Sequence, residues 1–171
     1  VPIVLSRIGN PPVYSRNLTA LLMRQRAGEF PQLPAMKENI VEKDEVITCG
    51  KIRIKFWGVT HTIPDSMGVI IETKHGWIVN PGDYKLDQVD GIVSPNEEKE
   101  YSIFDKAKTL LLMTDSTNIE NEGFALPEIK VHQGLENLIR RNSGRLIIAA
   151  FASHISRLVK VIQIAEMLGK K

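Results

Sequence analysis

The stretch Val59-Thr60-His61-Thr62-Ile63-Pro64-Asp65-Ser66, followed by Asn80-Pro81-Gly82-Asp83-Tyr84-Lys85, decides how this chain is read. Each segment closes an apolar run with one metal-capable side chain, an imidazole at His61 and a carboxylate at Asp83. The two stand 22 positions apart. A hairpin or a pair of short strands spans that separation and brings both groups to one edge of a sheet. Neutral imidazole and carboxylate suit zinc or a similar divalent ion. The same residues also fit a plainer reading, a hydrogen-bonded histidine at a strand end and a Gly-Asp turn.

The flanking pattern supports strands. Val46-Ile47-Thr48 is short and apolar and turns at Cys49-Gly50. Lys51 to Val59 then alternates strongly, with Ile52, Ile54, Phe56 and Gly58 on one face and charged residues between. Met67 to Thr73 follows, and His75-Gly76 turns it into Trp77-Ile78-Val79. Residues 46–80 therefore read as a run of antiparallel strands, with His61 after one and Asp83 after the last.

Upstream, Val1, Val4, Leu5 and Ile8 have helical spacing, and Gly9-Asn10-Pro11-Pro12 ends that helix. Val13-Tyr14 reads as a short buried strand. Asn17 is the expected N-cap of a helix from Leu18 to Ala27, with Leu18, Leu21 and Leu22 inward and Met23, Arg24 and Arg26 outward. A Gly/Pro-rich loop covers 28–34. The chain opens at Val1 without Met or a signal-peptide n-region, which reads as an internal start.

Downstream the rhythm changes. Residues 101–107 are predicted helical, and Thr109 to Thr114 is a continuous apolar run, the pattern of a strand buried on both faces in a parallel sheet. Pro127 precedes a helix predicted over 128–141, with Ile129, Leu135, Leu138 and Ile139 inward. Arg145 to Phe151 reads as a second buried strand. Ser153 is the predicted cap of a helix over 155–168, with Leu158, Val161, Ile162 and Ala165 inward. Strand, helix, strand, helix is α/β architecture with a right-handed crossover. Ligands of such sheets sit beyond the carboxyl ends of the strands, where Asp115-Ser116-Thr117-Asn118 and Ser153-His154 lie. Ser153 is read either as a plain cap or as part of a phosphate site at a helix N-terminus.

Composition sets the outer bounds. With 171 residues, 43% hydrophobic and 25% charged, the chain has the make-up of one soluble domain or slightly more. The net charge of +2 permits a polyanionic partner without requiring one. Cys49 is the single cysteine, which excludes a disulfide framework and a cysteine-based zinc cluster. A reducing, cytoplasmic setting is the default expectation, and no apolar run suggests a membrane span.

Taken in order, the motifs resemble ribonuclease J, of the β-CASP branch of the metallo-β-lactamase superfamily. The matching pieces are His-Thr-Ile-Pro-Asp-Ser at 61–66, Gly-Asp-Tyr-Lys at 82–85 and Asp-Ser-Thr-Asn at 115–118. Gly-Phe at 123–124 and Phe-Ala-Ser-His-Ile at 151–155 complete the set, and Pro12-Val13-Tyr14 also fits. The resemblance implies a zinc-dependent RNA phosphodiesterase with 5′-to-3′ exonuclease and endonuclease action on single-stranded RNA. It implies two zinc ions in the complete enzyme, with His61 and Asp83 as metal ligands and Asp83 the bridge. Asp83 and Asp115 would be its catalytic carboxylates, and Ser153 would hold the RNA 5′-phosphate.

The departures are equally specific. The His-x-His-x-Asp-His cluster of the family does not occur among the four histidines at 61, 75, 132 and 154. Gly123 to Glu128 lacks the hydroxyl residues usual after Gly-Phe, and His154 stands where Asn is common. The resemblance thus implies an internal piece and an incomplete fold. Residues 1–122 would be the C-terminal half of a metallo-β-lactamase αββα sandwich, and 123–171 the start of an α/β β-CASP domain. Weak metal binding, no nuclease activity in isolation, and self-association or a complementing chain are the expected consequences. Two other functions compete: a non-catalytic RNA-binding or assembly module of the same fold, and a different metallo-β-lactamase-fold hydrolase acting on thioesters or lactams.

Overall fold

The alternation over 46–80 folds into four antiparallel strands, β3 (Val46–Cys49), β4 (Ile52–Gly58), β5 (Met67–Thr73) and β6 (Gly76–Asn80). The computed structural model describes residues 1–105 and 107–170. A fifth strand, β9 (Thr109–Leu112), joins in parallel beside β6 and gives the order β3-β4-β5-β6-β9. Two smaller pairs accompany this sheet. β1 (Pro12–Ser15) lies parallel to β2 (Lys37–Ile40), a strand the sequence reading missed. β7 (Gln88–Val89) and β8 (Ile92–Val93) form a hairpin. Asp90 and Gly91 at its tip have φ of 52° and 84°, the left-handed backbone that a tight two-residue hairpin turn demands.

Helices α1 (Pro2–Arg7) and α2 (Asn17–Ala27) precede the sheet, and α3 (Pro95–Tyr101) with a 3₁₀ turn at Ser102–Phe104 precedes β9. α4 (Glu128–Arg141) and α5 (Ile155–Met167) follow and pack on each other. The chain is mixed α/β, as the order of patterns implied.

The core cluster lies on the face of the sheet that carries Trp57, not on the face shared by Ile52, Ile54, Phe56 and Gly58. Trp57, Val59, Ile70 and Val79 are buried together, flanked by Trp77, Tyr84, Ile103 and Phe104. Trp57 stands opposite Gly68 in the β4–β5 ladder. Its indole occupies the space a side chain at 68 would need, since an added Cβ would lie 2.3 Å from the ring. Phe104 packs edge-on against Trp57 at 5.3 Å and against Trp77 at 6.2 Å. The covering layer comes from the segment before β9, and periodicity within β4 cannot reveal it. Of the four residues on the opposite face of β4, Phe56 is buried whereas Ile52 is half exposed.

Several expectations are corrected. The helix predicted over 101–107 is displaced: α3 starts at Pro95, where the Ser94 hydroxyl accepts from the Glu97 N–H, and position 106 lies outside the described residues. Arg16, not Asn17, is the N-cap residue of α2, and Ala20 and Met23 are its buried positions while Leu21 is exposed. The run at 109–112 does pair in parallel, but as an edge strand with exposed leucines. Residues 145–151 form no strand, and Ile147 and Phe151 are among the most exposed apolar side chains. An apolar run becomes a strand only when another strand completes its ladder, and no described segment does so here. Tyr14 is exposed, and so are Ile129, Leu138 and Ile162, whereas Ile139 and Ile164 are the buried positions of α4 and α5.

Candidate functional site at the sheet edge

Antiparallel pairing through β5 makes β4 and β6 run in the same direction, and β9 is parallel to β6. All three strands therefore end at one edge of the sheet. The loops leaving them carry His61, Asp83 and Asp115, and all three residues line one cavity of about 740 Å³. The carboxyl ends of β4, β6 and β9 thus present their polar loops together.

Backbone hydrogen bonds fix the loops. The Lys85 N–H donates to the Thr60 carbonyl at 2.7 Å, which ties the Asp83 loop to the His61 loop. The His61 loop closes on itself through Ser66, whose N–H and hydroxyl both donate to the Ile63 carbonyl. In the second loop the Gly82 N–H donates to Asn80 Oδ1 at 2.8 Å, with Gly82 at φ 66°. Asp65 is not directed to a ligand. Its carboxylate accepts from the Leu18 N–H at 2.7 Å and from the Thr19 hydroxyl at 3.0 Å, capping α2 across 47 positions of sequence.

Asp115 is held by its own turn. Its Oδ1 accepts from the Thr117 hydroxyl at 2.6 Å and from the Thr117 N–H at 2.9 Å. The Thr117 hydroxyl, then its N–H, and more weakly the charge of His61 keep this carboxyl below the ordinary carboxylate range. Neighbouring Thr114 donates to the Tyr84 hydroxyl at 3.1 Å, joining the third loop to the second.

Ser153 stands apart from the other three. It is half buried in a turn closed by the His154 N–H on the Phe151 carbonyl, and its neighbours His154, Ser156 and Arg157 line the cavity. The N-cap residue of α5 is His154, without a side-chain capping bond, so the capping role expected of Ser153 is corrected.

Sequence reasoning missed the strongest electrostatic feature of the wall. Glu128, the first residue of α4, accepts from Arg157 Nε at 2.7 Å and Nη2 at 3.2 Å, and from Lys85 Nζ at 3.1 Å. The Arg157 guanidinium, aided by Lys85 and against partial burial, pulls the Glu128 carboxyl down to about 2. The only local signal was an acidic residue in the first turn of a helix, which by itself suggests no more than a dipole contact.

Among the described residues no group of three His, Cys, Asp or Glu side chains is placed to hold a metal ion together. His61 and Asp83 share the cavity, but two protein ligands do not fit a closed zinc site. No described helix is long and apolar enough to cross a membrane.

The fold and cavity define a mixed α/β segment with its polar loops gathered at one sheet edge. No family model matches the chain. It is nevertheless 35% identical over 175 residues to a ribonuclease J of Thermus thermophilus, a match covering 100% of this chain and 30% of that protein. It is also 32% identical over 160 residues to ribonuclease J2 of Bacillus subtilis, covering 94% of this chain and 29% of that protein. The chain is thus similar to ribonuclease J from end to end, as the ordered motifs implied, and spans about a third of the length of these curated relatives. Among solved structures, a protein of unknown function from Enterococcus faecalis V583 shares the fold. Its TM-score is 0.69 over 89% of this chain and 39% of that one, at 22% identity.

Proposed function

We propose that this chain forms one part of a metal-dependent RNA phosphodiesterase of the ribonuclease J type, with 5′-to-3′ exonuclease and endonuclease action and zinc as the metal. The observation that carries the reading is the convergence of the His61, Asp83 and Asp115 loops on one cavity, in a chain similar throughout to ribonuclease J. In this reading His61 and Asp83 are metal ligands, with Asp83 the bridge, and Asp115 is an oriented carboxylate beside them. Ser153 and the start of α5 receive the RNA 5′-phosphate. The remaining ligands come from a His-x-His-x-Asp-His segment, which these 171 residues do not contain. The domain division at 122/123 belongs to the same proposal. So does association with a second copy or a complementing segment, supported by the exposed leucines of β9 and the exposed run at 145–151.

The test is zinc calorimetry and cleavage of a 5′-phosphorylated RNA by residues 1–171, alone and with a segment bearing the histidine cluster. Weak zinc binding and no cleavage are expected alone. Cleavage should appear with the segment and be lost in His61→Ala and Asp83→Ala. Tight stoichiometric zinc binding by the chain alone, or hydrolysis of a small thioester in place of RNA by the complemented pair, defeats the reading. A non-catalytic RNA-binding role is the second reading, favoured by Lys85 and Arg157 on a wall without a metal-holding trio. It requires RNA binding that is salt-dependent and indifferent to chelator.

A further inference from the structure

We infer that Glu128 is a positioning residue that sets Arg157 and Lys85 on the cavity wall as a paired cationic grip for an RNA phosphate. The inference rests on the RNA reading above.

Three separate segments meet at this one carboxylate. Lys85 ends the Gly-Asp-Tyr-Lys motif, Glu128 begins α4, and Arg157 lies in the first turn of α5. All three residues line the cavity. Glu128 engages Arg157 through both of its oxygens, a two-point contact that fixes the plane of the guanidinium as well as its position. A guanidinium carries five N–H donors in a rigid fork. Nε and one hydrogen of Nη2 are used here, so the Nη1 pair and the second Nη2 hydrogen are left for a ligand. Lys85 is steadied at both ends, its side chain by Glu128 and its backbone N–H by the Thr60 carbonyl. His132 Nε2 lies 3.6 Å from the same carboxylate and completes its surroundings.

Charge alone does not make this wall a strong anion site. Glu128 already offsets one of the two cations, and Asp83, Asp87 and Asp115 share the cavity. What the arrangement supplies is direction, with donors held in place before the phosphate arrives. That distinction reverses the sign of a measurable effect. If Glu128 merely neutralises charge, its removal makes the wall more positive and tightens RNA binding. If it positions the donors, the same change weakens binding even though the net charge rises.

The experiment is fluorescence anisotropy of the 171-residue chain with a short 5′-phosphorylated single-stranded RNA at low salt, with thermal unfolding run in parallel. Glu128→Gln should weaken binding by about three- to tenfold, the loss of roughly one net hydrogen bond to the ligand. Arg157→Gln should do the same. The double variant should lose less than the sum of the two single losses, because both changes remove the shared Arg157 contact and only the release of Lys85 is added. If Glu128→Gln does not fold, Glu128→Asp carries the test, since it keeps the charge and shortens the reach, and weaker binding is again expected. Equal or tighter binding by a folded Glu128 variant overturns the inference and leaves the RNA reading standing. Failure of the unaltered chain to bind RNA in a salt-dependent way overturns the RNA reading, and the inference falls with it.

Discussion

Placing a single methyl group at position 68 tests the packing beneath the site. In Gly68→Ala the new Cβ would stand 2.3, 2.4 and 2.7 Å from three carbons of the Trp57 ring. Non-bonded carbons sit about 3.5–4.0 Å apart at best, so ring and strand must separate by roughly 1 Å. The indole is 1% exposed, edge-on to Phe104 and packed with Val59, Ile70 and Val79, and the space beside it is the apolar cavity of about 350 Å³ that it lines with Tyr84, Tyr101 and Phe104. Overpacking of this kind costs about 1–3 kcal/mol. Restricting the unfolded chain returns about 0.4–1 kcal/mol. The net loss is on the order of 1–2 kcal/mol, which lowers the unfolding midpoint by about 2–8 °C in a chain of this size. Calorimetry measures the midpoint, and near-ultraviolet circular dichroism follows the Trp57 environment. Gly134→Ala is the matched control. It lies inside α4 with nothing within 4 Å of the added Cβ and should stabilise by about 1 kcal/mol. An unchanged midpoint in Gly68→Ala, beside a raised one in Gly134→Ala, would refute the described packing of β4 on β5.

Removing the remote cap in Asp65→Ala should cost about 1 kcal/mol. It should also speed amide exchange at Leu18, whose N–H the carboxylate now holds, and unchanged protection there would contradict the capping role. Acid sensitivity follows from Glu128, whose folded pKa of about 2 lies below its ordinary 4.5. A depressed carboxyl contributes stability that is complete above about pH 4.5 and is lost as pH falls through 2. With 31% of the side chain exposed, solvent screening holds that contribution to on the order of 1 kcal/mol. Denaturant unfolding between pH 5 and 2 should therefore fall less steeply for Glu128→Gln than for the unaltered chain.

Local pattern determined much of this protein. Alternation and turn residues mark the strands from Val46 to Asn80, and the boundaries of α4 follow from Pro127 and the helical spacing after it. The apolar run at 109–112 announces a parallel neighbour, and the ordered motifs by themselves point to ribonuclease J. Each of these depends on neighbours within one element, and such information is written along the chain.

Tertiary structure alone decided what covers the Trp57 face of β4, because the cover includes Phe104, nearly fifty residues downstream of Trp57. It decided that Asp65 caps a helix 47 positions away, and that 145–151 forms no strand. It also drew Lys85, Glu128 and Arg157 together. The physical reason is common to all four cases. The energy of a packed ring, a shared proton or a strand ladder belongs to two partners, and a sequence read in order specifies each partner without saying where the other will be.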